Sequence, residues 1–276
     1  MTSEIPDNLI AELDKKMSEL ISEKKLIGNL VNVPEDSAIF REKQKVVSQR
    51  FSQSLQFLKD LGSSVLPLTG KKVLDVGSGV GGAALAFACF GAQVCAIDVD
   101  DVYLGVARDF LAYGKERLKS RGVSIENICP VKMSAESLAF SDSSFDLVFC
   151  SDVFEHIPCP IRALKEVNRV LKKNGILLIR QGFALNPDFL RRDPHYGLPL
   201  VTLLPRLFRY FVVVVLTRRC RELRDKKWPL THKQLSRWLN NTGNYEIVAW
   251  QKQGFNKDFA FLRKKTADSV IMLNKK

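Results

Sequence analysis

Apolar positions in the first sixty residues recur with a helical rhythm. Over residues 7–27 the stripe is Leu9, Ile10, Leu13, Met17, Leu20 and Ile21, and over residues 37–61 it is Ile39, Phe40, Val46, Val47, Phe51, Leu55, Leu58 and Leu61. Two helices are therefore predicted ahead of the main fold. From Lys71 the texture changes to short apolar runs closed by turn residues: Val73 to Val76, Val94 to Ile97, Ile128 to Val131, Leu147 to Cys150 and Ile176 to Ile179. Helical patterns separate them, at Gly82 to Phe90 with Gly91 as a stop, at Asp101 to Arg121 with Gly122 as a stop, and at Ile161 to Lys173 with Asn174-Gly175 as a stop. Such alternation predicts a parallel sheet covered on both faces. Tyr245 to Trp250 and Lys257 to Leu262, around Gly254, read as a terminal antiparallel hairpin. The stretch from Gln181 to Asn244 is too long for an ordinary loop and is expected to carry structure or function of its own.

The candidate chemistry starts at Val73-Leu74-Asp75-Val76-Gly77-Ser78-Gly79-Val80-Gly81-Gly82, a buried strand running through a glycine-rich turn into an apolar helix. Glycines let backbone approach a ligand closely, and a helix start presents unpaired N–H groups, so a cofactor is expected there. Gly77-x-Gly79-x-x-Gly82 also satisfies the dinucleotide fingerprint, and the glycines alone leave the choice open. Asp98 closes the second strand. It either receives ribose hydroxyls or caps the helix that follows. Asp75 ahead of the first glycine, with a hairpin in place of a second mononucleotide half, tilts the choice.

With these residues the chain resembles the class I S-adenosylmethionine-dependent methyltransferases over about Lys71 to Ile179, and the hairpin extends the likeness. The resemblance implies an α/β fold: a Rossmann-like, doubly wound sheet of about seven strands with a terminal antiparallel hairpin, N-terminal helices and a helical insertion before the hairpin. Three further blocks, Ser134-Ala135-Glu136-Ser137-Leu138-Ala139-Phe140, Ser144-Phe145-Asp146-Leu147-Val148 and Phe154-Glu155-His156-Ile157, resemble the type 11 branch that includes ubiquinone and menaquinone methyltransferases. S-adenosylmethionine is the implied cofactor. The implied binding set is Asp75, Gly77, Ser78, Gly79, Gly81, Gly82, Asp98, Val99, Ser134, Ala135, Glu136 and Ser151. Within it Asp98 would take the ribose, and Asp75 would hold the loop and the cofactor's methionyl end, where a carboxylate favours positive charge. Ser134 stands where that branch usually has an acid for the adenine amino group, and a serine oxygen can still accept that hydrogen bond.

Ser151 to His156 leave the fourth strand at its carboxyl end, where open α/β sheets place ligands and where the acceptor is expected. Asp152-x-x-Glu155-His156 also resembles the cluster with which some ubiquinone O-methyltransferases hold a divalent ion. Residues so spaced equally cap the next helix, and the expectation is no metal, with Asp152, Glu155 and His156 as the alternative ligands. Three histidines exist. His156 and His195 are the candidate catalytic bases for a hydroxyl acceptor, against structural roles for both, while His232 reads as a helix start. Arg50 reads as a surface arginine, the alternative being a cation folded over the cofactor carboxylate.

The domain division this predicts is a helical extension over 1–66 and a methyltransferase domain over 67–276, with an insertion at about 181–244. The chain has 276 residues and a formal charge of +12, which suggests an anionic partner without choosing among nucleic acid, membrane and acidic substrate. Ten Lys/Arg against four Asp/Glu between Gln181 and Leu230 put half of that charge in under a fifth of the chain. There Leu203, Leu204, Leu207, Phe208, Phe211 and Val212 to Leu216 stand beside Arg206, Arg209, Arg218, Arg219 and Arg221. That reads either as a lid for a lipid, isoprenoid or aromatic acceptor with a basic rim for phosphate or headgroups, or as a packed helix pair with a solvated basic face.

Pro199, Pro205, Arg206 and Arg209 interrupt the most apolar stretch, so no bilayer crossing is expected. Six scattered cysteines without metal spacing, and no secretory pattern over residues 1–8, predict a reduced cytoplasmic protein, with peripheral membrane contact through 181–230 in view. The sequence thus predicts a methyltransferase acting on a hydroxyl of a small lipid-linked, isoprenoid, aromatic or sugar acceptor. The alternatives are a nucleic-acid methyltransferase, a non-catalytic binding protein on the same fold, or an oxidoreductase sharing the glycine turn. Nucleic acid is disfavoured because Ser151-Asp152-Val153-Phe154 stands where an Asn/Asp-Pro-Pro-Tyr/Phe motif would lie, and Pro158-Cys159 lies too far past the strand to be a cytosine nucleophile pair.

Overall fold

A computed structural model of the chain describes residues 5–24, 26, 38–123, 125, 127–182, 190–191, 198–205, 208–209, 211–212, 215, 230–242, 245–253 and 257–264. The fold divides into two compact units, Met1–Ser134 and Ala135–Lys276.

The first unit opens with α1 (Asp7–Glu23), whose Leu9, Leu13, Met17, Leu20 and Ile21 are buried, as their spacing of three and four predicts. On its outer face Glu12 takes a bond from Tyr113 at 2.7 Å and one from Arg117 Nη2 at 2.9 Å, tying α1 to a later helix of the unit. The second helical stripe is broken in two, α2 (Ala38–Ser48) and α3 (Arg50–Leu61), at Gln49, where φ is −88° and ψ 13°. The break falls where the Arg50–Phe51 backbone closes on Gly82: a Cβ on that glycine would lie 2.8 Å from the Arg50 carbonyl carbon and the Phe51 nitrogen. β1 (Lys72–Val76), β2 (Gln93–Asp98) and β3 (Ile128–Lys132) follow, parallel and in the order β3-β2-β1, with Val76 opposite Ile97 and Asp98 opposite Lys132. Val73 and Leu74 on adjacent positions of β1 are both fully buried, which requires cover on both faces.

α4 (Gly82–Cys89) is apolar all round and buried all round, because α3 lies against it as well as the strands. α5 (Asp101–Lys119) starts at Asp100, whose side chain accepts from the N–H groups of Val102 and Tyr103 at 2.8 and 3.2 Å.

In the second unit β4 (Phe145–Ser151) pairs in parallel with β5 (Leu171–Gln181). β5 pairs antiparallel with β7 (Lys257–Lys264), and β7 with β6 (Tyr245–Gln253), so the terminal hairpin is present, each strand a little longer than its apolar run. α6 (Pro160–Val170) buries Ala163, Leu164, Val167 and Val170 and packs against α7 (His232–Thr242). His232 thus does start a helix.

One boundary differs from the sequence pattern. The helix was expected to run to Lys173 and stop at Asn174-Gly175, but Leu171 is already extended and pairs with Phe145. Asn174, at φ 60°, and Gly175 instead form a bulge inside β5, across which the register passes from Phe145↔Leu171 to Leu147↔Ile176. A Cβ at position 175 would lie 2.8 Å from the Lys172 carbonyl oxygen, so the turn needs glycine there. The described residues hold seven strands, three in the first unit and four in the second.

Of the predicted insertion, Val201–Leu203 form a 3-10 turn in which Val201 is buried against Leu198 and Leu204. Among the described residues no helix is long and apolar enough to cross a membrane. Cys89, Cys95, Cys129, Cys150 and Cys159 are free thiols, and Cys220 lies outside the described residues.

Candidate functional site

At the carboxyl ends of β1 and β2 the first unit gathers Asp75, the glycine turn, Asp98 and the start of α5. Gly77, Gly79 and Gly81 have φ of 66°, 53° and 81°, a left-handed run that any side chain would strain, and this run turns β1 into α4. Asp98 decides one question the sequence left open. The helix cap is Asp100; Asp98 accepts from Gly79 N–H at 2.9 Å through Oδ2 and from Asp100 N–H at 3.0 Å through Oδ1. Asp98 therefore pins the glycine turn to the end of β2, and each of its oxygens has a second lone pair for an incoming donor. Beside it Val99 is 62% exposed, an apolar surface at the lip of the turn.

Asp75 is buried, and its Oδ2 has no hydrogen-bond partner among the described residues; the same holds for the buried hydroxyl of Ser78. Burial, then the negative charge of Asp98, pushes the Asp75 carboxyl up to about 7, against the pull of Arg50 and of an N–H bond from Ala84. Orphaned acceptors beside a glycine cradle are what an amine- or hydroxyl-bearing ligand would satisfy, so these residues fit the expected cofactor. Sequence reasoning missed Tyr103, whose ring lies 3.7 Å from where a Gly79 Cβ would stand, with its hydroxyl pushed above the ordinary range by burial and by Asp98 and Asp100. Its only signal was its place in the first turn after Asp98. Arg50 is not the surface arginine expected; it is half-buried, and its charge is felt at both Asp75 and Tyr103.

Ser134 follows β3, whose exit is fixed by Met133 N–H to the Asp98 carbonyl at 2.9 Å. In the second unit Ala135 is buried, and Glu136 accepts from Cys159 N–H at 2.9 Å at the entrance of α6. α6 also holds the loop that continues from Glu136. Glu166 accepts from Leu138 N–H at 2.9 Å, and Arg169 reaches the Leu138 and Phe140 carbonyls at 2.8 and 2.7 Å and Asp142 at 2.8 Å. The backbone from Glu136 to Phe140 is thus latticed to one helix.

At the end of β4 the Ser151 hydroxyl is buried without a hydrogen-bond partner among the described residues. Asp152 is left-handed at φ 51° and accepts from Gly182 N–H at 3.3 Å. Glu155 is buried and receives the Gln181 amide at 2.8 Å, a partner the sequence did not reveal because it comes from the end of β5. The exposed His156 ring places Nε2 3.8 Å from Glu155 Oε1. The two side chains are neighbours, with the separation beyond hydrogen-bond length. No group of three His, Cys, Asp or Glu side chains among the described residues is arranged to hold a metal. His195 lies outside the described residues.

Residues 74–179 match the family described as a methyltransferase domain. Over 110 residues the chain is 33% identical to a ubiquinone biosynthesis O-methyltransferase of Pasteurella multocida, which covers 40% of this chain and 46% of that one. A demethylmenaquinone methyltransferase of Clavibacter sepedonicus is 29% identical, covering 65% of this chain and 68% of its own. The chain thus spans under half the length of the ubiquinone relative. A solved structure of an S-adenosylmethionine-dependent methyltransferase from Aquifex aeolicus superposes with a TM-score of 0.52 at 18% identity, covering 78% of this chain and 91% of that one. The doubly wound α/β fold is shared with it.

Proposed function

We propose that this chain, which carries an S-adenosylmethionine-dependent methyltransferase domain over residues 74–179, transfers a methyl group to a hydroxyl of a small acceptor that is lipid-linked, isoprenoid, aromatic or a sugar. The observation that carries the cofactor reading is Asp98: it is not the helix cap but the acid that fixes Gly79, with Val99 exposed next to it. When bound, S-adenosylmethionine supplies an already activated methyl on a sulfonium, so alignment accounts for most of the rate. Asp98 takes the ribose hydroxyls, Val99 covers one face of the adenine, and Asp75 offers its orphaned oxygen to the cationic amino-acid end. Gly77, Ser78, Gly79 and Gly81 give backbone access to the ligand, and Gly82, whose open side is taken by the α3 backbone, would contribute only the start of α4. Ser134, Ala135, Glu136 and Ser151 complete the cofactor set.

Acceptor chemistry belongs to the end of β4, where the exposed His156, next to a Glu155 held by Gln181, would take the hydroxyl proton. Oxygen as the methylated atom is supported by the name of the ubiquinone relative. A lipid-linked acceptor, and a peripheral position on an anionic membrane, are supported by the basic and apolar composition of residues 181–230. The division into a 1–66 extension and a 67–276 domain is part of the same proposal.

Calorimetric titration with S-adenosylhomocysteine, run beside NADH, tests the reading. Saturable binding of the thioether alone, lost on Asp98→Ala and on Gly79→Arg, is the expected result. Tighter binding of NADH, or full affinity in both variants, would overturn it.

A further inference from the structure

The reaction proposed above uses none of the six cysteines, yet strand register brings two of them together. Cys95 of β2 stands opposite Cys129 of β3. Partners so registered in parallel strands lie on one face of the sheet with Cα atoms about 4.8 Å apart, inside the roughly 4.4–6.8 Å that a disulfide spans. β3 is an edge strand, paired among the described residues with β2 alone, so it is held from one side as the bond closes. Both thiols are free. Cys129 is exposed and open to a small oxidant. Cys95 is half-buried, and burial, then the neighbouring Cys129, pushes its thiol up to about 11. One sulfur is thus reachable, and the other is a less accessible, protonated thiol beside it.

We propose that Cys95 and Cys129 are a peroxide-sensitive dithiol that closes, reversibly, into a disulfide between β2 and β3. The Cys129 sulfur attacks one peroxide oxygen, the O–O bond breaks, and the departing hydroxide takes the thiol proton to leave water and a sulfenic acid. The Cys95 sulfur then attacks the Cys129 sulfur, the S–O bond breaks, and hydroxide leaves with the Cys95 proton as a second water. Two thiols lose two electrons in all, and one hydrogen peroxide is reduced to two waters; an external dithiol reverses the change. The bond makes a ring of the chain from 95 to 129, which holds Asp98, the carboxylate that fixes Gly79 N–H, and all of α5. Oxidation therefore locks the segment that anchors the glycine turn. The strand register carries this whether or not the pocket takes S-adenosylmethionine.

The test treats the reduced full chain with hydrogen peroxide, blocks it with iodoacetamide and maps it without reduction by mass spectrometry. The expected product is a pair of peptides carrying Cys95 and Cys129, joined and lighter by two hydrogens, that dithiothreitol separates again. Cys129→Ser, a change at an exposed position, is expected to abolish it, and Cys95→Ser to strand Cys129 as a sulfenic acid that dimedone captures. Melting curves of both variants in their reduced state check that the sheet is intact. The oxidised parent should melt several degrees above the reduced parent, because the cross-link restricts the unfolded chain, and Cys129→Ser should lose that difference. The proposal is overturned if both cysteines stay open to alkylation, or if Cys129 pairs with another cysteine or goes on to sulfinic acid beside a reduced Cys95. A joined protein that melts no higher than the reduced one overturns it as well.

Discussion

Asp75 is the residue where burial and charge act against each other most directly. Its ordinary pKa is 3.8, and burial with Asp98 nearby raises it to about 7 in the folded protein. Below about pH 4 both folded and unfolded chains hold this proton; between there and pH 7 the folded chain holds more of it. Stability from this group is therefore present at low pH and lost as pH rises through 7, at a total cost on the order of 4 kcal/mol. Asp75→Asn should flatten the ligand-free stability profile between pH 4.5 and pH 8. It should also leave the variant more stable than the parent at the upper end, as read from urea midpoints; coincident profiles would show that Asp75 is not the titrating group. Asp75, Asp98 and the glycines were legible in sequence because strand, turn and helix are contiguous there. Tyr103 was not, and Arg50 was legible only as the alternative to a surface arginine, since packing and not chain order brings them to the turn.

At the scale of elements, two glycines separate close approach from spare room. Gly82 begins α4 under the α3 backbone, whereas Gly105 sits inside α5 with nothing within 4 Å of an added Cβ. Gly82→Ala is expected to destabilise the fold by about 1–3 kcal/mol, because the obstructing atoms are backbone and cannot rotate away. Gly105→Ala should stabilise it by about 0.5–1 kcal/mol through helix propensity and a less free unfolded chain. Denaturant titrations of both variants check the opposite signs, and equal effects would contradict the packing of α3 on α4. The helices and strands themselves followed from apolar periodicity. The exception at β5 is instructive: Asn174-Gly175 has the composition of a helix stop, and only the pairing of Leu171 with Phe145 shows it to be a bulge. The block from Ser134 to Phe140 was visible as a resemblance. What holds it in place, the Arg169 and Glu166 lattice, depends on side chains about thirty residues away.

For the molecule as a whole, net charge is the property least tied to the fold and most tied to what the surface meets. Half of the +12 lies between Gln181 and Leu230, a segment with no clean period and no clear caps, so its structure could not be read from sequence. Its described residues are unusual in exposing large apolar groups: Leu203 54%, Phe208 and Phe211 66% each, and Val215 56%. Val201, by contrast, is buried, so the segment is not uniformly turned outward. Fully burying a phenylalanine is worth about 1.5–3 kcal/mol, and each cation near an anionic lipid surface adds about 1 kcal/mol. Terms of this size are what the proposed reversible contact with an anionic bilayer would draw on. Sedimentation with phosphatidylserine/phosphatidylcholine vesicles should carry the protein down at low salt and much less with pure phosphatidylcholine. About 0.5 M salt, where screening shortens to a few ångströms, should weaken binding without abolishing it. Phe208→Ser with Phe211→Ser should remove the salt-resistant part and leave cofactor binding intact. Loss of vesicle binding to an equal concentration of inorganic pyrophosphate would instead assign the basic residues to a phosphate on the acceptor, and no vesicle binding at low salt would remove the membrane from the proposal.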